Sequence, residues 1–470
     1  MMKFTESNQL RSRAHNLIPA GCHTYAKGDD QYPVLAPGFV ARGRGCHVWD
    51  VDGNEYIEYG MGNRCVGLGH AFSAVVDAAK SEMDRGVNFT RPAEIEVRCA
   101  ETMLSLTPSA EMVKFCKDGS TATTAAMKLA RAATGRDKIA YCADHPFFAT
   151  NDWFIGTTPL DAGIPQSAKE LTVSFQYNDL ASARRMFAEH RGQIAGVILE
   201  PAKYEDPADR FLHKLRDLCH DNGAVFVLDE MITGFRWHNG GGQAYYDVAP
   251  DLSTFGKALG NGFAISALAG KRELMQLGGL DHDRERVFLL STTHGAETHA
   301  MAAAIATIET YRNEPVVDHL YRIGDRLRHE LTQVIERHGL QDHVQIAGKS
   351  CCLVFSTRDQ SGEQSQAFRS LFLQETIRRG VLMTTLVTSY SHTDSDVDQT
   401  VDAVDGALAV YRQALAGDVT NYLVGRPSQV VYRRYNRDGS HDLAGNRTSQ
   451  ISTALSPLEL DGGSIQEPLK

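Results

Sequence analysis

Two stretches, AVFVLDEMITGFR at residues 224–236 and DLSTFGKALGNG at residues 251–262, decide the fold of this chain. The first is a short apolar run that stops at the acidic pair Asp229-Glu230, which is typical of a buried strand in a parallel sheet. The second places Lys257 among glycines and small residues. Ligands of open parallel sheets bind beyond the carboxyl ends of the strands. The two stretches therefore predict a ligand site that is lined by a carboxylate and a lysine.

Further short apolar runs alternate with helical patterns on both sides of these stretches. In chain order they are MVKFC (112–116), KIAYC (138–142), AGVILE (195–200), AISALAG (264–270) and VFLL (287–290). Helical patterns cover about residues 120–134, 209–221 and 296–311. This alternation predicts an α/β fold, with a large domain built on a mainly parallel central sheet.

The two ends of the chain have different patterns. An amphipathic helix is predicted over residues 5–17, and the strands FVARG, HVWDV and EYIEY follow, broken at Gly43 and at the Asp52-Gly53-Asn54 turn. After residue 316 the predicted order is helix, strand, strand, helix, strand, helix, which indicates a smaller α+β domain. The predicted parts are an N-terminal segment (1–60) joining the small domain, a large domain (61–315), the small domain (316–415) and a polar tail (416–470). We expect the tail to be loosely attached and to dock through Tyr422 and VVYRRYN (430–436).

Composition excludes several classes of partner. The net charge is −10 and the pI is near 6.0, whereas nucleic acids and anionic membranes select basic surfaces. No apolar run approaches the length of a membrane span, and MMKFTESNQLRSRAHNL at the N-terminus lacks the apolar core of a signal peptide. The nine cysteines show no metal-site spacing, so we expect reduced thiols, no metal and a cytoplasmic location. The adjacent Cys351 and Cys352 in SCCLVF predict a buried strand.

Two charged residues follow predicted strands, and each has an ordinary structural alternative. Asp229 is suited to pair with a protonated ring nitrogen, but it is equally suited to cap a helix or loop. Lys257 is suited to form an imine with a carbonyl compound, because burial lowers the pKa of a lysine. The alternative for Lys257 is an ordinary surface lysine.

Two further features complete the pattern. Backbone N–H groups at Gly119, Ser120 and Thr121 open a helix and suit a phosphate, although a plain N-cap explains the same residues. The rings of Phe147 and Phe148 suit stacking on a planar ring, and core packing is the alternative. A phosphate cradle, a stacking ring, an acid for a ring nitrogen and an imine-forming lysine together describe a site for pyridoxal 5'-phosphate (PLP).

The same segments resemble the class III (fold type I) PLP-dependent aminotransferases, and in particular the branch of glutamate-1-semialdehyde aminomutase-like proteins. The resemblance covers roughly residues 5–415. It rests on VWDVDGNEYIEY, GLGHAFSAVVDA, DGSTATTAAMKLARAATGRDKIA, VILEP, FVLDEMITGFR, PDLSTFGKALGNG and STTHGAETHAMAA. It implies the fold type I architecture, a large domain with a mainly parallel central sheet plus a smaller α+β domain.

The resemblance also implies a role for each matching residue. Lys257 would be the Schiff-base lysine and proton shuttle, and Asp229 the partner of the pyridine N–H. Met231 would pack under the ring and Phe147 above it, with Phe148 in that place if the alignment shifts by one. The remaining cofactor residues implied are Gly119 and Ser120 at the phosphate, Glu200 near the cofactor, and Thr292 reaching the phosphate of the neighbouring subunit. The last match implies a homodimer with shared active sites.

Several positions depart from the aminomutase pattern. Lys27 stands where the aminomutase has an arginine for the substrate carboxylate, and lysine lacks the bidentate fork. The acidic gate for that arginine is missing from VLMTTLVTSYSHT (381–393). Arg64 in MGNRCVG is a further candidate for a substrate anion, with a structural role as the alternative. Glu205 occupies a position where the family often has an amide near the ring hydroxyl.

These departures favour an aminotransferase that moves an amino group from a small-molecule donor, with glutamate expected, to a carbonyl acceptor. The segment VGRPSQVVYRRYN (424–436) resembles extensions of family members in polysaccharide or secondary-metabolite pathways. One alternative is a PLP-dependent isomerase on the same scaffold, either a 2,1-aminomutase or an amino-acid racemase. A second is a cofactor-binding protein without catalysis, which the presence of both Lys257 and Asp229 disfavours.

Overall fold

The computed structural model describes residues 2–436; the prediction for the part of the tail at 437–470 lies outside the described residues. The strands are β1 (Val40–Arg44), β2 (His47–Asp50), β3 (Glu55–Glu58), β4 (Met112–Cys116), β5 (Lys138–Cys142), β6 (Thr172–Phe175), β7 (Ile194–Leu199), β8 (Val225–Asp229), β9 (Leu252–Phe255), β10 (Ser266–Gly270), β11 (Val344–Ala347), β12 (Val354–Thr357) and β13 (Val381–Leu382). The helices are α1 (Thr5–Leu17), α2 (Met61–Arg64), α3 (Ser73–Met83), α4 (Glu94–Leu104), α5 (Gly119–Thr134), α6 (Asp152–Ile155), α7 (Gln166–Lys169), α8 (Leu180–Glu189), α9 (Phe211–Asp221), α10 (Gly241–Tyr245), α11 (Arg272–Met275), α12 (Thr298–Asn313), α13 (Val316–Arg337), α14 (Gln366–Ile377) and α15 (Asp394–Leu415).

A seven-stranded sheet forms the centre, in the order β4-β10-β9-β8-β7-β5-β6. Only β10 runs antiparallel to its neighbours, so the sheet is mainly parallel. Every residue of β7 and β8 is buried, which explains why both read as continuous apolar runs. Helices cover both faces: Ile198 of β7 packs in one core with Leu129 of α5, and Val197 packs in another with Leu215 of α9. The predicted α/β architecture with a mainly parallel central sheet is thereby confirmed.

A second, smaller sheet joins distant parts of the chain. Its order is β1-β2-β3-β13, and β13 from the C-terminal region pairs with β3 in parallel. Ile57 and Tyr59, in and just after β3, lie in one hydrophobic core with residues of α13, α14 and α15. The N-terminal segment and the C-terminal region therefore share a core, while the predicted domain boundaries stay a prediction.

The start of the predicted tail is docked on this part of the molecule. Tyr422 packs against the core that contains Ile57 and Tyr59. The Ser428 hydroxyl lies 2.8 Å from the Ser370 hydroxyl. Arg433 lies 2.7 Å from the carboxylate of Asp30. Within residues 2–436, no helix is long and apolar enough to cross a membrane.

Several local predictions are wrong. The run VFLL is not a strand. Leu289 and Leu290 are buried in the same hydrophobic core as residues of α5. The apolar pattern therefore indicated that these side chains are buried, and not that the segment pairs with another strand. The first hairpin breaks at Gly45, which has a φ of 60°, and not at Gly43. Cys351 and Cys352 are buried in a short 3-10 turn before β12. The central strands β6 and β9 were not among the predicted strands.

Candidate active site

The carboxyl ends of three adjacent central strands bring two carboxylates and a lysine together. Glu200 follows β7, Asp229 closes β8, and Lys257 begins a 3-10 turn just after β9. The strands are neighbours in the sheet and run parallel, so their ends lie at one edge. We call these three residues the floor of the site.

Asp229 is a buried carboxylate with few partners. It accepts hydrogen bonds from the backbone N–H of Met231 at 3.0 Å and from the Thr254 hydroxyl at 3.1 Å. Burial, together with the negative charge of Glu200, raises the pKa of Asp229 to about 7, although Lys257 opposes the shift. A buried carboxyl with a raised pKa gains from a cationic partner, and a protonated ring nitrogen would supply one.

Glu200 is held from two sides. Its Oε1 accepts a hydrogen bond from Lys203 Nζ at 3.3 Å, and its backbone N–H donates to His145 Nδ1 at 3.0 Å. Burial alone would raise the pKa of Glu200, but Lys203 and the other nearby positive groups outweigh burial and lower it. Glu200 Oε2 is buried and has no hydrogen-bond partner among the described residues. This oxygen is therefore available to a group that enters the site.

Lys257 has the properties of an imine-forming lysine. Burial lowers its pKa against the opposing effect of Asp229 and Glu200, and the positive charges of Arg64 and Lys203 lower it further. A lower pKa leaves more of the amine unprotonated and nucleophilic. Its φ of 44° is in the left-handed region, which is uncommon for a residue other than glycine.

The N-terminus of α5 lies at the same edge of the sheet, after β4. The Asp118 carboxylate caps the helix by accepting from Thr121 N–H at 2.8 Å. Gly119 and Ser120 are the first two helical residues, so their N–H groups have no acceptor within the helix. Ser120 Oγ accepts from the Thr150 N–H at 3.0 Å. Asp118 therefore caps the helix while the N–H groups of Gly119 and Ser120 remain free to bind an anion.

Met231 explains why two of the nearby residues are glycine. A Cβ placed on Gly119 would lie 2.8 Å from Met231 Sδ, and one on Gly256 would lie 2.6 Å from the same atom. Contacts this short require the sulfur to move. The thioether therefore packs between the helix start and the segment that carries Lys257.

The two phenylalanines differ in exposure. Phe148 is 2% exposed and makes an edge contact with Phe154 at a centroid distance of 5.6 Å. Phe147 is 43% exposed and makes an edge contact with Phe154 at a centroid distance of 5.8 Å. Phe148 is a core residue, so Phe147 is the ring that remains available for stacking.

Arg64 and Lys27 are the two cations that the sequence predicts for a substrate anion. Arg64 ends α2 with a φ of 72°, and its carbonyl accepts a hydrogen bond from Arg236 Nη2 at 3.1 Å. Lys27 is exposed on a 3-10 turn. Burial raises the pKa of the Cys65 thiol, and the positive charges of Lys27 and Lys257 oppose the shift. Arg64 in turn acts on Lys257.

The sequence interpretation missed two residues beside the floor. Lys203, with a side chain only 13% exposed, pairs with Glu200, whereas Glu205 in the same loop is exposed. His145 is buried, and burial lowers its pKa to about 4, which keeps the ring neutral. The position of His145, a polar residue shortly after the end of β5, could have indicated that it lies near the site.

Two further predictions concern residues outside the floor. Thr292 is exposed in an irregular segment before α12. No metal was expected, and one group of possible ligands does come together in the described part of the chain: Cys46, His47 and Asp396. The Asp396 carboxylate already accepts from the N–H and hydroxyl of Thr393, at 2.8 and 2.7 Å, so helix capping explains this group.

The residues present fit PLP. A buried carboxyl with a raised pKa, a lysine with a lowered pKa, a helix start with N–H donors and an unpartnered Glu200 oxygen share one edge of the sheet. These are the groups required by a ring nitrogen, an aldehyde, a phosphate and a ring hydroxyl.

Comparison with known proteins gives the family. The class-III aminotransferase model matches residues 25–408. Glutamate-1-semialdehyde 2,1-aminomutase of Desulforamulus reducens is 32% identical over 427 residues, covering 86% of this chain and 98% of that protein. The enzyme of the same name from Halorubrum lacusprofundi is 32% identical over 460 residues, covering 88% of this chain and 100% of that protein.

Solved structures confirm the predicted fold type I architecture. The FumI protein of Sphingopyxis sp. MTA144, solved with PLP, has a TM-score of 0.81 and 30% identity, covering 90% of this chain and 99% of that one. A glutamate-1-semialdehyde aminomutase of Pseudomonas aeruginosa has a TM-score of 0.75 at 18% identity, over 86% and 94% of the two chains, and supports the fold alone.

The similar curated proteins carry the name of an isomerase, so the prediction of donor-to-acceptor amino transfer is wrong. The departures at Lys27 and in 381–393 do not exclude an isomerase, since lysine keeps the positive charge of the arginine it replaces. The match along residues 25–408 and the full-length relatives show that this chain belongs to the class-III aminotransferase family of PLP-dependent enzymes.

Proposed function

We propose that the protein is a PLP-dependent 2,1-aminomutase, which moves the amino group of an amino aldehyde such as glutamate 1-semialdehyde to the adjacent carbon. The observation that carries the proposal is the similarity along nearly the whole length of proteins with that activity in their name. The racemase alternative has no such support. The chemistry is an isomerisation, because nitrogen and carbonyl oxygen exchange places on neighbouring carbons.

PLP supplies an aldehyde that links to amines and a protonated ring that accepts the electrons of a neighbouring carbon. Asp229 would keep the ring nitrogen protonated through its buried carboxylate. Lys257 would hold the cofactor in the resting enzyme, and its Nζ would move protons between the two substrate carbons. The lowered pKa of Lys257 suits this role, because the amine must be unprotonated to accept a proton.

Other residues would complete the cofactor site. Gly119 and Ser120 would bind the phosphate with their N–H groups, and Met231 and Phe147 would pack against the ring. The unpartnered Oε2 of Glu200 supports a contact of Glu200 with the cofactor, and Lys203 would hold that carboxylate in place.

The substrate side provides positive charge for an anionic substrate. Arg64 and Lys27 create a field that attracts a carboxylate and also lowers the pKa of neighbouring amines. The cost of replacing arginine by lysine at position 27 is the loss of the bidentate fork, while the charge is kept.

The test is donor-free isomerisation. The purified protein loaded with PLP is incubated with 4-amino-5-oxopentanoate, and 5-amino-4-oxopentanoate is measured by mass spectrometry and NMR. We expect catalytic turnover with no amino donor added. Product that forms only in proportion to an added donor, or no product from a fully loaded enzyme, would overturn the proposal. Lys80→Ala, at an exposed helical position, serves as the control for Lys257→Ala.

We also propose a homodimer with shared sites. Thr292, Phe89, Leu280 and Phe288 are exposed, and the last three provide apolar surface for a second subunit to cover. Thr292 would reach the phosphate of the partner's cofactor. Mixing Lys257→Ala with Thr292→Ala subunits should restore one complete site per mixed dimer, with activity that neither variant has alone. A monomer in light scattering contradicts this arrangement.

A cytoplasmic location is part of the same proposal. All nine cysteines are free thiols, and seven of them are buried, as is usual in a reducing compartment. Fractionation of the cells that make the protein tests this location.

A further inference from the structure

His145 is a buried imidazole that the proposed chemistry does not use. It lies in the loop after β5, and β5 and β7 are parallel neighbours, so this loop borders the end of β7 that Glu200 follows. The ring contacts two aromatic side chains, with centroid distances of 5.1 Å to Tyr177 and 6.2 Å to Phe148. Burial lowers the pKa of His145 to about 4, so the ring is neutral at neutral pH.

The hydrogen bond between His145 and Glu200 fixes the tautomer of the ring. The Glu200 backbone N–H donates to His145 Nδ1 at 3.0 Å. A backbone N–H is a donor and cannot accept, so Nδ1 is the unprotonated nitrogen and the proton lies on Nε2. Glu200 is the first residue after β7, where the strand ends. The side chain of His145 therefore replaces the partner that a longer strand would supply to this N–H.

Tyr177 holds the next residue of the same turn. Its hydroxyl donates to the Pro201 carbonyl at 2.7 Å, and its backbone N–H donates to the Asp144 carboxylate at 2.6 Å. Asp144 directly precedes His145. The loops after β5, β6 and β7 are therefore tied together by hydrogen bonds, and the consecutive residues Glu200 and Pro201 are each held by one of them.

These contacts determine where the Glu200 carboxylate lies. The backbone of Glu200 is fixed, and the end of its side chain is held by Lys203, whose Nζ donates to Oε1 at 3.3 Å. Oε2 is buried and has no hydrogen-bond partner among the described residues. A buried acceptor without a partner costs free energy. The contacts from His145, Tyr177 and Lys203 therefore hold Oε2 in a place that a donor on a ligand would satisfy.

We propose that His145 is a positioning residue of the cofactor site. Its hydrogen bond from the Glu200 N–H, supported by the bond from Tyr177 to Pro201, fixes Glu200 so that Oε2 is presented to the bound cofactor. This role rests on the contact of Glu200 with PLP in the proposed function, but it does not depend on which reaction the enzyme catalyses. His145 acts through Glu200 and is assigned no catalytic step of its own.

The test compares two substitutions of equal size. The Oδ1 atom of an asparagine takes the place of the histidine Nδ1 and accepts the same hydrogen bond, whereas leucine has the shape of asparagine without the acceptor. The absorbance of the bound cofactor is recorded against pH in PLP-loaded His145→Asn, His145→Leu, Glu200→Gln and wild-type protein. A negative charge near the cofactor raises the pKa of its protonated form. The midpoint of this titration therefore reports whether the Glu200 carboxylate is in place.

We expect His145→Leu and Glu200→Gln to lower the midpoint by about 0.5–1 pH unit, and His145→Asn to stay near the wild type. Because His145 acts through Glu200, adding His145→Leu to Glu200→Gln should lower the midpoint no further. His329→Leu, at an exposed position of α13, is the control and should leave the midpoint unchanged. If His145→Leu does not fold, Tyr177→Phe keeps the ring but loses the hydrogen bond to Pro201, and should give a smaller shift in the same direction.

Each contrary result overturns the role of His145 for a stated reason. Equal midpoints in His145→Leu and the wild type mean that His145 does not position Glu200, and an unchanged midpoint in Glu200→Gln removes the cofactor contact itself. An equal shift in His145→Leu and His145→Asn assigns the effect to packing of the imidazole and not to its hydrogen bond. Shifts that add in the double variant mean that His145 acts independently of Glu200. The isomerisation assay is separate, because an enzyme without turnover overturns the proposed function and leaves these midpoints to decide the role of His145.

Discussion

The floor of the site and its substrate wall are built in opposite ways. The floor consists of Glu200, Asp229 and Lys257, and the wall, as proposed, of Lys27 and Arg64. The floor sits on the ends of adjacent parallel strands whose pairing fixes each position. Lys27 of the wall lies on a short turn of the N-terminal region, and Arg64 has a φ of 72°, in the left-handed region. Strand pairing therefore positions the floor, whereas the wall residues lie on short helical turns.

The largest effect is expected for Lys257→Ala. Loss of the amine removes both the cofactor link and the proton carrier, so activity should fall by at least about 1000-fold. Borohydride reduction followed by mass spectrometry measures the link directly: the wild type should gain the mass of reduced cofactor and Lys257→Ala should not. Lys80→Ala should behave like the wild type. Labelling of the Lys257→Ala protein at another single lysine would place the floor elsewhere.

The second effect concerns Asp229→Asn. Replacing the carboxylate by an amide leaves the ring nitrogen without a negative partner, and activity should fall by about 100-fold or more.

The same substitution should change the pH dependence of stability of the cofactor-free protein. Burial raises the pKa of Asp229 to about 7, so the folded state holds a proton that the unfolded state releases. The contribution to stability is full below about pH 4 and is lost as pH rises through 7.

Urea unfolding of the cofactor-free protein at pH 5 and pH 7.5 tests this sign. The wild type should lose about 2–3 kcal/mol more stability than Asp229→Asn over this interval, because part of the effect already falls between pH 4 and pH 5. Glu230, whose pKa burial also raises to about 7, is present in both proteins and cancels in the difference. Equal pH dependence in both proteins would mean that Asp229 is ionised even without a cofactor.

The contrast between floor and wall also separates what the sequence could predict from what it could not. Asp229 and Lys257 follow apolar runs, and an apolar run reports a buried strand whose end lies at the ligand edge. Lys203 gave no such signal, because its role depends on a loop that turns back onto Glu200.

The same limit explains the errors in the fold. The run VFLL was predicted as a strand because burial and strand pairing give the same apolar pattern. The short β9 was overlooked because LSTF has two polar residues, both buried between neighbouring strands in the structure. Strand pairing is a property of the partners, which a single segment does not contain.

The third effect concerns Arg64→Gln in the wall. The positive charge of Arg64 lowers the pKa of Lys257, so its removal should raise that pKa and move the acid limb of the pH–rate profile up by as much as about one unit. KM for the anionic substrate should rise several-fold through lost attraction. Arg64→Lys, which keeps the charge, should leave the profile near that of the wild type. A shift of equal size in both variants would assign Arg64 a structural role.

The smallest catalytic effect is expected at the edge of the floor, where Phe147 and Phe148 provide a matched pair. Phe148→Ala empties a site in the core and should cost about 3–5 kcal/mol of unfolding free energy. Phe147→Ala removes a half-exposed ring and should leave unfolding nearly unchanged, while cofactor affinity falls a few-fold through lost stacking. Urea unfolding of the cofactor-free proteins and fluorescence titration with PLP measure the two quantities. If instead Phe148→Ala weakened PLP binding and left the free energy of unfolding unchanged, Phe148 and not Phe147 would contact the cofactor ring. A core residue, and not an exposed one, would then cover the floor of the site.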